Sequence, residues 1–301
     1  MRVWIDTDIG SDVDDALALG YVLRHPELEL AGVSTVFGDV ELRAEIARRL
    51  IAIASANEVP VLTGLGAPLT EGRDGLMFGH EGRGIVSDAT PRMVTPADEN
   101  PEQRIDEMAN ALERAKPDAL IAIGPLTNLG ALAARGATLP PLAIMGGKTE
   151  DVLHEGMIPQ IPEWNWYCDP VAVTTVLTAN HTELPRLVPA EVTFRTALLP
   201  ADLDRLAKGS ALPRKLAELA QIWLDFLRSK MGRDEPHVAL HDPLTAAVLI
   251  DAGLSSFTEK RIRTDERAAS APEAGPANIL VATDVDNDAL RHQLMETWLC
   301  E

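Results

Sequence analysis

The sequence predicts a single α/β domain built on an open, doubly wound and mostly parallel sheet with helices on both faces. Short apolar runs alternate along the chain with segments of helical periodicity, a pattern typical of βαβ units with right-handed crossovers. The 301 residues are 46% hydrophobic and 24% charged, which is enough to bury a sizeable core. No biased linker divides the chain, so residues 1–301 are expected to form one domain.

The first βα unit has the clearest pattern. Val3-Trp4-Ile5 is an apolar run that stops at acidic residues, as a buried parallel strand does. Residues 14–23 then place apolar side chains at helical spacing, and residues 28–37 are apolar and rich in β-forming types. The order strand, helix, strand follows from these three segments.

The same alternation continues to the C-terminus. Further strands are predicted at residues 59–62, 119–123, 142–145 and 279–282. Further helices are predicted at residues 42–56, 105–115, 126–135, 212–230 and 289–299. Pro213 suits the first turn of the longest helix. Residues 91–103 and 264–278 carry loop compositions and are predicted to lack regular structure.

Composition excludes several classes of function. The chain has 27 Lys and Arg against 46 Asp and Glu, a formal charge of −19 that disfavours nucleic acids and anionic membranes as partners. Cys168 and Cys300 cannot form a disulfide framework or a four-thiolate zinc site. Because the chain has no apolar signal core and no run of about 20 apolar residues, we expect a soluble cytoplasmic protein.

The strongest functional signal lies where the first strand ends. Residues 6–15, DTDIGSDVDD, hold five carboxylates within ten positions. Ligands of open α/β sheets bind at the carboxyl ends of the strands. Acids this close repel one another unless a cation lies among them, and oxygen donors without Cys or His suit Ca²⁺ or Mg²⁺.

Helix capping, an EF-hand loop and a phosphotransferase site would each use some of these acids. Helix capping accounts for Asp12, Asp14 and Asp15 but leaves Asp6 and Asp8 unexplained. An EF-hand loop is excluded, since its position six is not Gly here and its position twelve is not Glu. An aspartate phosphotransferase also places Asp-x-Asp after its first strand, although its downstream Lys and acidic pair are hard to place in this chain.

The opening motif resembles that of the nucleoside hydrolase family, of the inosine-uridine-preferring type. Seven further segments resemble family landmarks in the same order, so the resemblance extends from residue 3 to about 250. They are residues 33–40 (VSTVFGDV), 60–69 (PVLTGLGAPL), 80–85 (HEGRGI), 124–129 (GPLTNL), 145–147 (MGG), 163–170 (EWNWYCDP) and 241–244 (HDPL).

The resemblance implies Ca²⁺-dependent hydrolysis of the N-glycosidic bond of a small-molecule nucleoside, releasing free base and ribose. It implies a homodimer or homotetramer. The implied metal ligands are Asp8, Asp15, the main-chain carbonyl of Thr127, and Asp242. Asp8 would also be the base that deprotonates the metal-bound water, and His241 the proton donor to the leaving base.

Substrate contacts are also implied by the resemblance. The ribose hydroxyls would be held by Asp14, Glu163 and Asn165, and further substrate contacts would come from Asp39, Met145, His80 and Trp164. His80 has a simple packing role as its alternative. If residues 164–166 are extended, strand alternation places Trp164 and Trp166 on one face opposite Asn165, and at least one of them in the core.

The sequence departs from the family pattern at three places. Two extra residues separate Asp8 from Asp14, so Asp12 competes with Asp14 for a ribose role. Asp39 stands where many relatives have Asn, which adds a charge. Met157 stands where the family often has an Asn that binds the 5′ end; Met cannot donate a hydrogen bond, so a modified 5′ group is an alternative. A non-catalytic nucleoside or ribose binder and a phosphotransferase stay open beside the hydrolase.

Overall fold

The computed structural model describes residues 1–56, 58–95, 98–150, 152, 154, 157 and 162–300. Within them the strands are β1 (Arg2–Thr7), β2 (Glu29–Thr35), β3 (Val61–Thr63), β4 (Gly75–Leu76), β5 (Val94–Thr95), β6 (Ala119–Ala122), β7 (Leu142–Met145), β8 (Arg186–Val188), β9 (Phe257–Lys260), β10 (Ile262–Thr264), β11 (Ser270–Pro272) and β12 (Ile279–Ala282).

The helices in the same residues are α1 (Asp14–Arg24), α2 (Val40–Ile53), α3 (Pro101–Ala115), α4 (Thr127–Ala134), α5 (Trp164–Cys168), α6 (Pro170–Thr178), α7 (Ala190–Thr193), α8 (Pro200–Ala207), α9 (Ala211–Met231), α10 (His241–Ala247) and α11 (Asn287–Leu299). A short 3₁₀ helix spans Ala252–Leu254. In the described part of the chain, no helix combines the length and apolar character that a membrane span needs.

Eight strands form the central sheet, in the order β3-β2-β1-β6-β7-β8-β12-β9. Neighbouring strands are parallel, except that the edge strand β9 runs antiparallel to β12. Two small antiparallel pairs, β4-β5 and β10-β11, lie outside it. The predicted mostly parallel sheet is therefore confirmed.

Strand β1 shows why the chain folds in this way. Its side chains alternate between two cores, with Val3 and Ile5 in one and Trp4 in the other. Helices α1, α2, α9, α10 and α11 contribute to the first core, and α3, α4 and α6 to the second. Since both faces of the strand are covered, a continuous apolar run is required.

The sheet changes its direction of growth between β1 and β6. The chain adds β2 and β3 on one side of β1, and β6, β7 and β8 on the other. Loops that leave β1 and β6 diverge at such a point and open a crevice. The two loops still pass close to each other at Gly124 and Asp8. Glycine is needed at position 124, because a Cβ there would lie 2.8 Å from the Asp8 amide nitrogen and 3.0 Å from Asp8 Oδ1.

Several sequence predictions are corrected. Residues 91–103 contain β5 and the start of α3, and residues 264–278 contain β11. The strands β5 and β11 have two and three residues and exist through pairing with β4 and β10, which loop composition does not reveal. Residues 164–168 form a helix, so the alternation expected of Trp164 and Trp166 is wrong. Trp166 is nevertheless fully buried in the core.

Candidate functional site

A cavity of about 440 Å³ opens at the carboxyl ends of the central strands. Loops after β1, β6, β7 and β8 supply its walls together with α5 and α10. Its acidic lining residues are Asp8, Asp12, Asp14, Asp15, Glu163 and Asp242. Its aromatic and thioether lining residues are Phe78, Trp164, Phe194, Trp223, Met145, Met157 and Met231. The cavity therefore combines negative charge with an apolar wall.

Three of the acids form a cluster that we call the acid triad: Asp14, Asp15 and Asp242. One carboxylate oxygen from each lies within 4.8 Å of the others, and all three side chains are buried. Asp14 and Asp15 lie in the first turn of α1 and Asp242 in the first turn of α10, where the positive end of each helix dipole favours negative charge.

Burial raises the pKa of each triad carboxyl well above its usual 3.8, and repulsion from neighbouring acids raises it further. Asp8 and Asp12 both add to that repulsion at Asp14. A cation among these oxygens would remove the repulsion and keep the carboxylates ionised. The triad, an all-oxygen and buried donor set, therefore fits a hard divalent cation.

Asp8 follows β1 and is buried beside the triad, whose Asp15 feels its charge. The Arg43 guanidinium donates hydrogen bonds to the main-chain carbonyls of Asp8 and Ile9. Burial raises the pKa of the Asp8 carboxyl, while the charge of Arg43 lowers it. Its backbone is therefore anchored while its carboxylate lines the cavity.

Glu163 caps helix α5 with both carboxylate oxygens. Oε1 accepts from the Asn165 amide at 2.7 Å, and Oε2 from the Gly147 and Trp166 amides at 2.8 and 3.0 Å. Burial raises the pKa of Glu163 to about 7. The Asn165 side chain in turn donates to the Ile123 carbonyl at 3.2 Å. Capping thus fixes two cavity-lining polar groups on one short helix.

His241 is the first residue of α10 and lines the cavity. Its Nδ1 lies 2.6 Å from the Thr193 hydroxyl, and its ring meets Phe194 edge-on with centroids 4.8 Å apart. Burial lowers its pKa to about 4, with a smaller effect from His237. The imidazole is therefore neutral near pH 7 and held in one orientation.

Met145, Trp164 and Met157 also line the cavity. Trp164 is 36% exposed, and its ring centroid lies 5.5 Å from that of Phe78. Asp12 lines the cavity too and accepts a hydrogen bond from the Val13 amide, but the N-cap position of α1 is Val13. Asp12 and Met157, two positions at which the sequence departs from the family pattern, therefore both line the cavity.

Asp39 lies outside the set of described residues that line the cavity. It caps α2 by accepting from the Leu42 amide at 3.3 Å, and it accepts from the Arg92 amide at 2.9 Å. The Arg92 guanidinium lies 3.3 Å from its carboxylate. These partners argue against the predicted substrate contact, because the extra charge of Asp39 is already used within the fold.

Neither His80 nor Thr127 appears among the described cavity-lining residues. His80 stacks on Phe226 with centroids 4.0 Å apart, and its Nε2 lies 2.9 Å from the Ser11 carbonyl, which favours the packing alternative. The hydroxyl of Thr127 donates to Asp169 at 2.8 Å. This contact fixes the start of α4, where the main-chain carbonyl of Thr127 is predicted to bind metal.

Asn128 has a positioning role in the structure. Its side-chain amide donates to Asp6 at 2.8 Å and to the Thr35 carbonyl at 3.2 Å, and its Oδ1 accepts from the Leu65 amide at 2.8 Å. It is fully buried. The first turn of α4 is therefore tied to β1, to β2 and to the chain that follows β3.

Sequence reasoning missed several cavity residues. They are Ser11, Phe78, Lys148, Phe194, Met231, Arg233 and Trp223, the last of which has the helical spacing of a core residue. Phe78 and Phe194 lie on or next to loops, where no periodicity points to them. Aromatic residues are only 4% of the chain. An aromatic side chain on a loop is therefore unusual here and indicates a binding surface, which was the available signal for Phe78 and Phe194.

The sequence matches a known protein family over nearly its whole length. Residues 3–292 match the sequence model of the family described as inosine-uridine preferring nucleoside hydrolase. The chain is 29% identical over 260 residues to the pyrimidine-specific ribonucleoside hydrolase RihA of Photobacterium profundum, covering 83% of this chain and 80% of that protein. It is 27% identical over 275 residues to uridine nucleosidase 1 of Arabidopsis thaliana, covering 88% and 78%.

Solved structures share the fold. A plant nucleoside hydrolase superposes with a TM-score of 0.80 at 22% identity, covering 100% of this chain and 99% of that one. A purine-preferring ribonucleoside hydrolase from Gardnerella vaginalis gives a TM-score of 0.78 at 21% identity, covering 99% and 98%. The likeness thus extends over the whole chain.

Proposed function

The chain belongs to the inosine-uridine preferring nucleoside hydrolase family, whose members hydrolyse the N-glycosidic bond of nucleosides, and we propose that it performs this reaction with a bound Ca²⁺. The observation that carries the proposal is the acid triad, three buried carboxylates within 4.8 Å in a cavity at the carboxyl ends of the strands. A phosphotransferase and a non-catalytic binder are disfavoured by membership in a family of hydrolases.

The donor chemistry supports the choice of metal. The proposed ligands are Asp8, Asp15, Asp242 and the main-chain carbonyl of Thr127, all of them hard oxygen donors that suit Ca²⁺. The triad also brings Asp14 to the same place, so Asp14 is a further candidate ligand. When bound, the ion supplies positive charge that orients sugar hydroxyls and lowers the pKa of water.

Asp8 is assigned the role of general base. It lines the cavity, is buried, and has a backbone held by Arg43. A carboxylate placed there can take a proton from the attacking water. As the N-glycosidic bond breaks, the sugar gains oxocarbenium-like positive charge, which the surrounding carboxylates stabilise.

The proposal assigns the ribose hydroxyls to Asp14, Glu163 and Asn165. Glu163 and Asn165 are fixed by capping and by a carbonyl contact, so little ordering is needed when the sugar binds. Asp12 lines the same cavity and competes for this role. Met145, Trp164 and the other apolar lining residues suit the faces of the base and sugar.

His241 is proposed to act at the leaving base. Burial lowers its pKa to about 4, so the ring is neutral near pH 7 and would donate its N–H as a hydrogen bond to the negative charge that develops on the base. Transfer of a whole proton requires the imidazolium form, which returns to the neutral ring when the proton passes to the base. Purines and pyrimidines differ in how much protonation they need on leaving. His241 is therefore expected to matter unequally for the two classes.

Metal-dependent release of free base tests the proposal. Inosine, adenosine, guanosine, uridine and cytidine are incubated with enzyme stripped by a chelator, and then with Ca²⁺ or Mg²⁺ added back. We expect turnover of at least one nucleoside to vanish with chelator and to return best with Ca²⁺. The Asp242→Asn variant is expected not to recover. Equal turnover without metal would contradict the Ca²⁺ role, and binding without release would favour the binder.

The base panel covers both classes because the relatives differ in their described preference, one being pyrimidine-specific and another purine-preferring. A homodimer or homotetramer and a cytoplasmic location stay predictions. Light scattering of the purified chain measures the first.

A further inference from the structure

Arg43 is a fully buried cation beneath the loop that carries the acidic motif. Its Nε donates to the Phe37 carbonyl at 2.6 Å, and its Nη1 donates to the carbonyls of Asp8 and Ile9. Its Nη2 donates to the Ser11 hydroxyl at 3.0 Å. One guanidinium therefore ties the loop after β1 to the end of β2.

Glu81 is a buried anion beneath a second loop that reaches the cavity. Its Oε1 accepts from the Phe78 amide at 2.6 Å, and its Oε2 from the Gly79 and His80 amides at 2.8 and 3.1 Å. Phe78 is the cavity-lining member of that loop. The carboxylate thus sets the backbone from which the Phe78 ring projects.

Ser11 joins the two buried charges. Its hydroxyl accepts from Arg43 and donates to Glu81 Oε1 at 3.4 Å. Its carbonyl accepts from His80 Nε2 at 2.9 Å. Ser11 also lines the cavity. The path from Arg43 through Ser11 to Glu81 therefore connects the loop of Asp8 with the loop of Phe78.

Burying the charges of Arg43 and Glu81 costs free energy that simple packing would not require. Two ionised side chains removed from water lose solvation that a packed apolar pair would not lose. Here their hydrogen bonds go mostly to main-chain groups of loops, which otherwise lack the regular bonding that rigid strands and helices have. The two charges therefore hold two loops at one cavity.

We propose that Arg43, Ser11 and Glu81 form a positioning relay, in which Arg43 fixes the Asp8 backbone and Glu81 fixes the Phe78 wall. The inference rests on the proposed function, since it takes Asp8 as the base. Arg43 is expected to act mainly on kcat, because it holds a residue that takes part in the chemistry. Glu81 is expected to act mainly on KM, because it holds Phe78, which lines the cavity proposed to bind the substrate.

Kinetics of single variants test this split. Arg43→Met is expected to lower kcat about 10²-fold, as small misplacements of reacting groups do, and Arg43→Lys is expected to retain part of the rate, since it keeps the charge but lacks the planar fork of donors. Glu81→Gln is expected to raise KM with a smaller loss of kcat. Arg48→Met is the matched control, because Arg48 is an exposed arginine of the same helix.

Hydrogen exchange gives a readout that does not need activity. The amides of Phe78, Gly79 and His80 donate hydrogen bonds to Glu81, so we expect them to exchange slowly in the wild type. Ser11→Ala and Arg43→Lys are expected to raise their exchange, although neither side chain is a hydrogen-bond partner of these amides. Unchanged exchange there, or kcat within threefold of wild type in both Arg43 variants, would overturn the relay. A wild type that releases no base would refute the proposed function, and the exchange result would still decide the relay.

Discussion

The molecule buries carboxylates in two very different surroundings. Asp169, at the start of α6, is fully buried and accepts from the Leu69 amide at 2.7 Å and from the hydroxyls of Thr70 and Thr127 at 2.7 and 2.8 Å. In the part of the chain that the structure describes, the acid triad receives a bond from the Thr7 hydroxyl to Asp15 and one from the Asp15 amide to Asp14.

The difference separates Asp169 from the acid triad. A buried carboxylate surrounded by hydrogen-bond donors has its charge balanced within the fold, so it stabilises the folded chain without a bound cation. Buried carboxylates surrounded by one another are balanced only when something positive arrives. The two sites are also linked, because Thr127 donates its hydroxyl to Asp169 and is a proposed metal ligand through its carbonyl.

Removing the charge of Asp8 should give the largest effect. We expect Asp8→Ala to lower kcat by about 10²–10⁴-fold, the range over which a general base contributes. The melting temperature should stay within a few degrees of wild type, because a side chain that lines a cavity supports little of the core. Base release and thermal unfolding are measured on the same preparation. Near-normal turnover would rule out Asp8 as the base.

The converse is expected at Asp169. Asp169→Asn replaces one acceptor oxygen by an NH₂ donor. Either the Leu69 amide and the Thr127 hydroxyl, or the amide and hydroxyl of Thr70, then lose their acceptor, so the free energy of unfolding should fall by about 3 kcal/mol. Chemical denaturation with the metal removed isolates this effect from any change at the metal site. Asp242→Asn is the matched variant and should leave metal-free stability unchanged or higher, since it relieves repulsion. Equal losses in both variants would erase the distinction between the two surroundings.

Stability without metal should fall as the pH rises. The pKa values of Asp6 and Glu163 are raised to about 7 by burial, and those of the triad are raised as well. A raised pKa in the folded state means stability that is complete below about pH 4 and is lost as the pH rises through the folded value. His241, with its pKa lowered to about 4, acts in the opposite sense between pH 4 and 6.5.

Calcium should oppose this decline, because it favours the ionised carboxylates and binds only the folded chain. Melting curves from pH 4.5 to 8, with chelator and with saturating Ca²⁺, measure both slopes. We expect the chelated protein to lose melting temperature over this range and the Ca²⁺ protein to lose less. Parallel curves would mean that the cation does not meet the triad.

Much of this site could be predicted from sequence, and the rest had physical reasons to stay hidden. The alternation of apolar runs was enough to predict the parallel sheet, and the acids after β1 pointed to its carboxyl edge. Strand β8 has only three residues, which is too short for a recognisable periodicity. Phe194 lines the cavity from the C-terminal end of α7, far in sequence from the acidic motif, and no periodicity marks it. Residues 164–168 form a helix where the sequence predicts an extended segment. The Glu163 carboxylate makes this possible, because it accepts hydrogen bonds from the first amides of the helix, which have no backbone acceptor.

Asp39 gives the smallest expected effect. Its carboxylate caps α2 and pairs with Arg92, whose side chain is 57% exposed, so solvent screens the pair. Since Asn caps a helix about as well as Asp, and such exposed pairs contribute about 0–1 kcal/mol, Asp39→Asn should change kcat/KM less than about twofold and stability by under about 1 kcal/mol. Nucleoside kinetics and denaturation measure both values. A tenfold change in KM would restore Asp39 to the substrate site, and it would show that charge balanced within the fold can still act on the sugar.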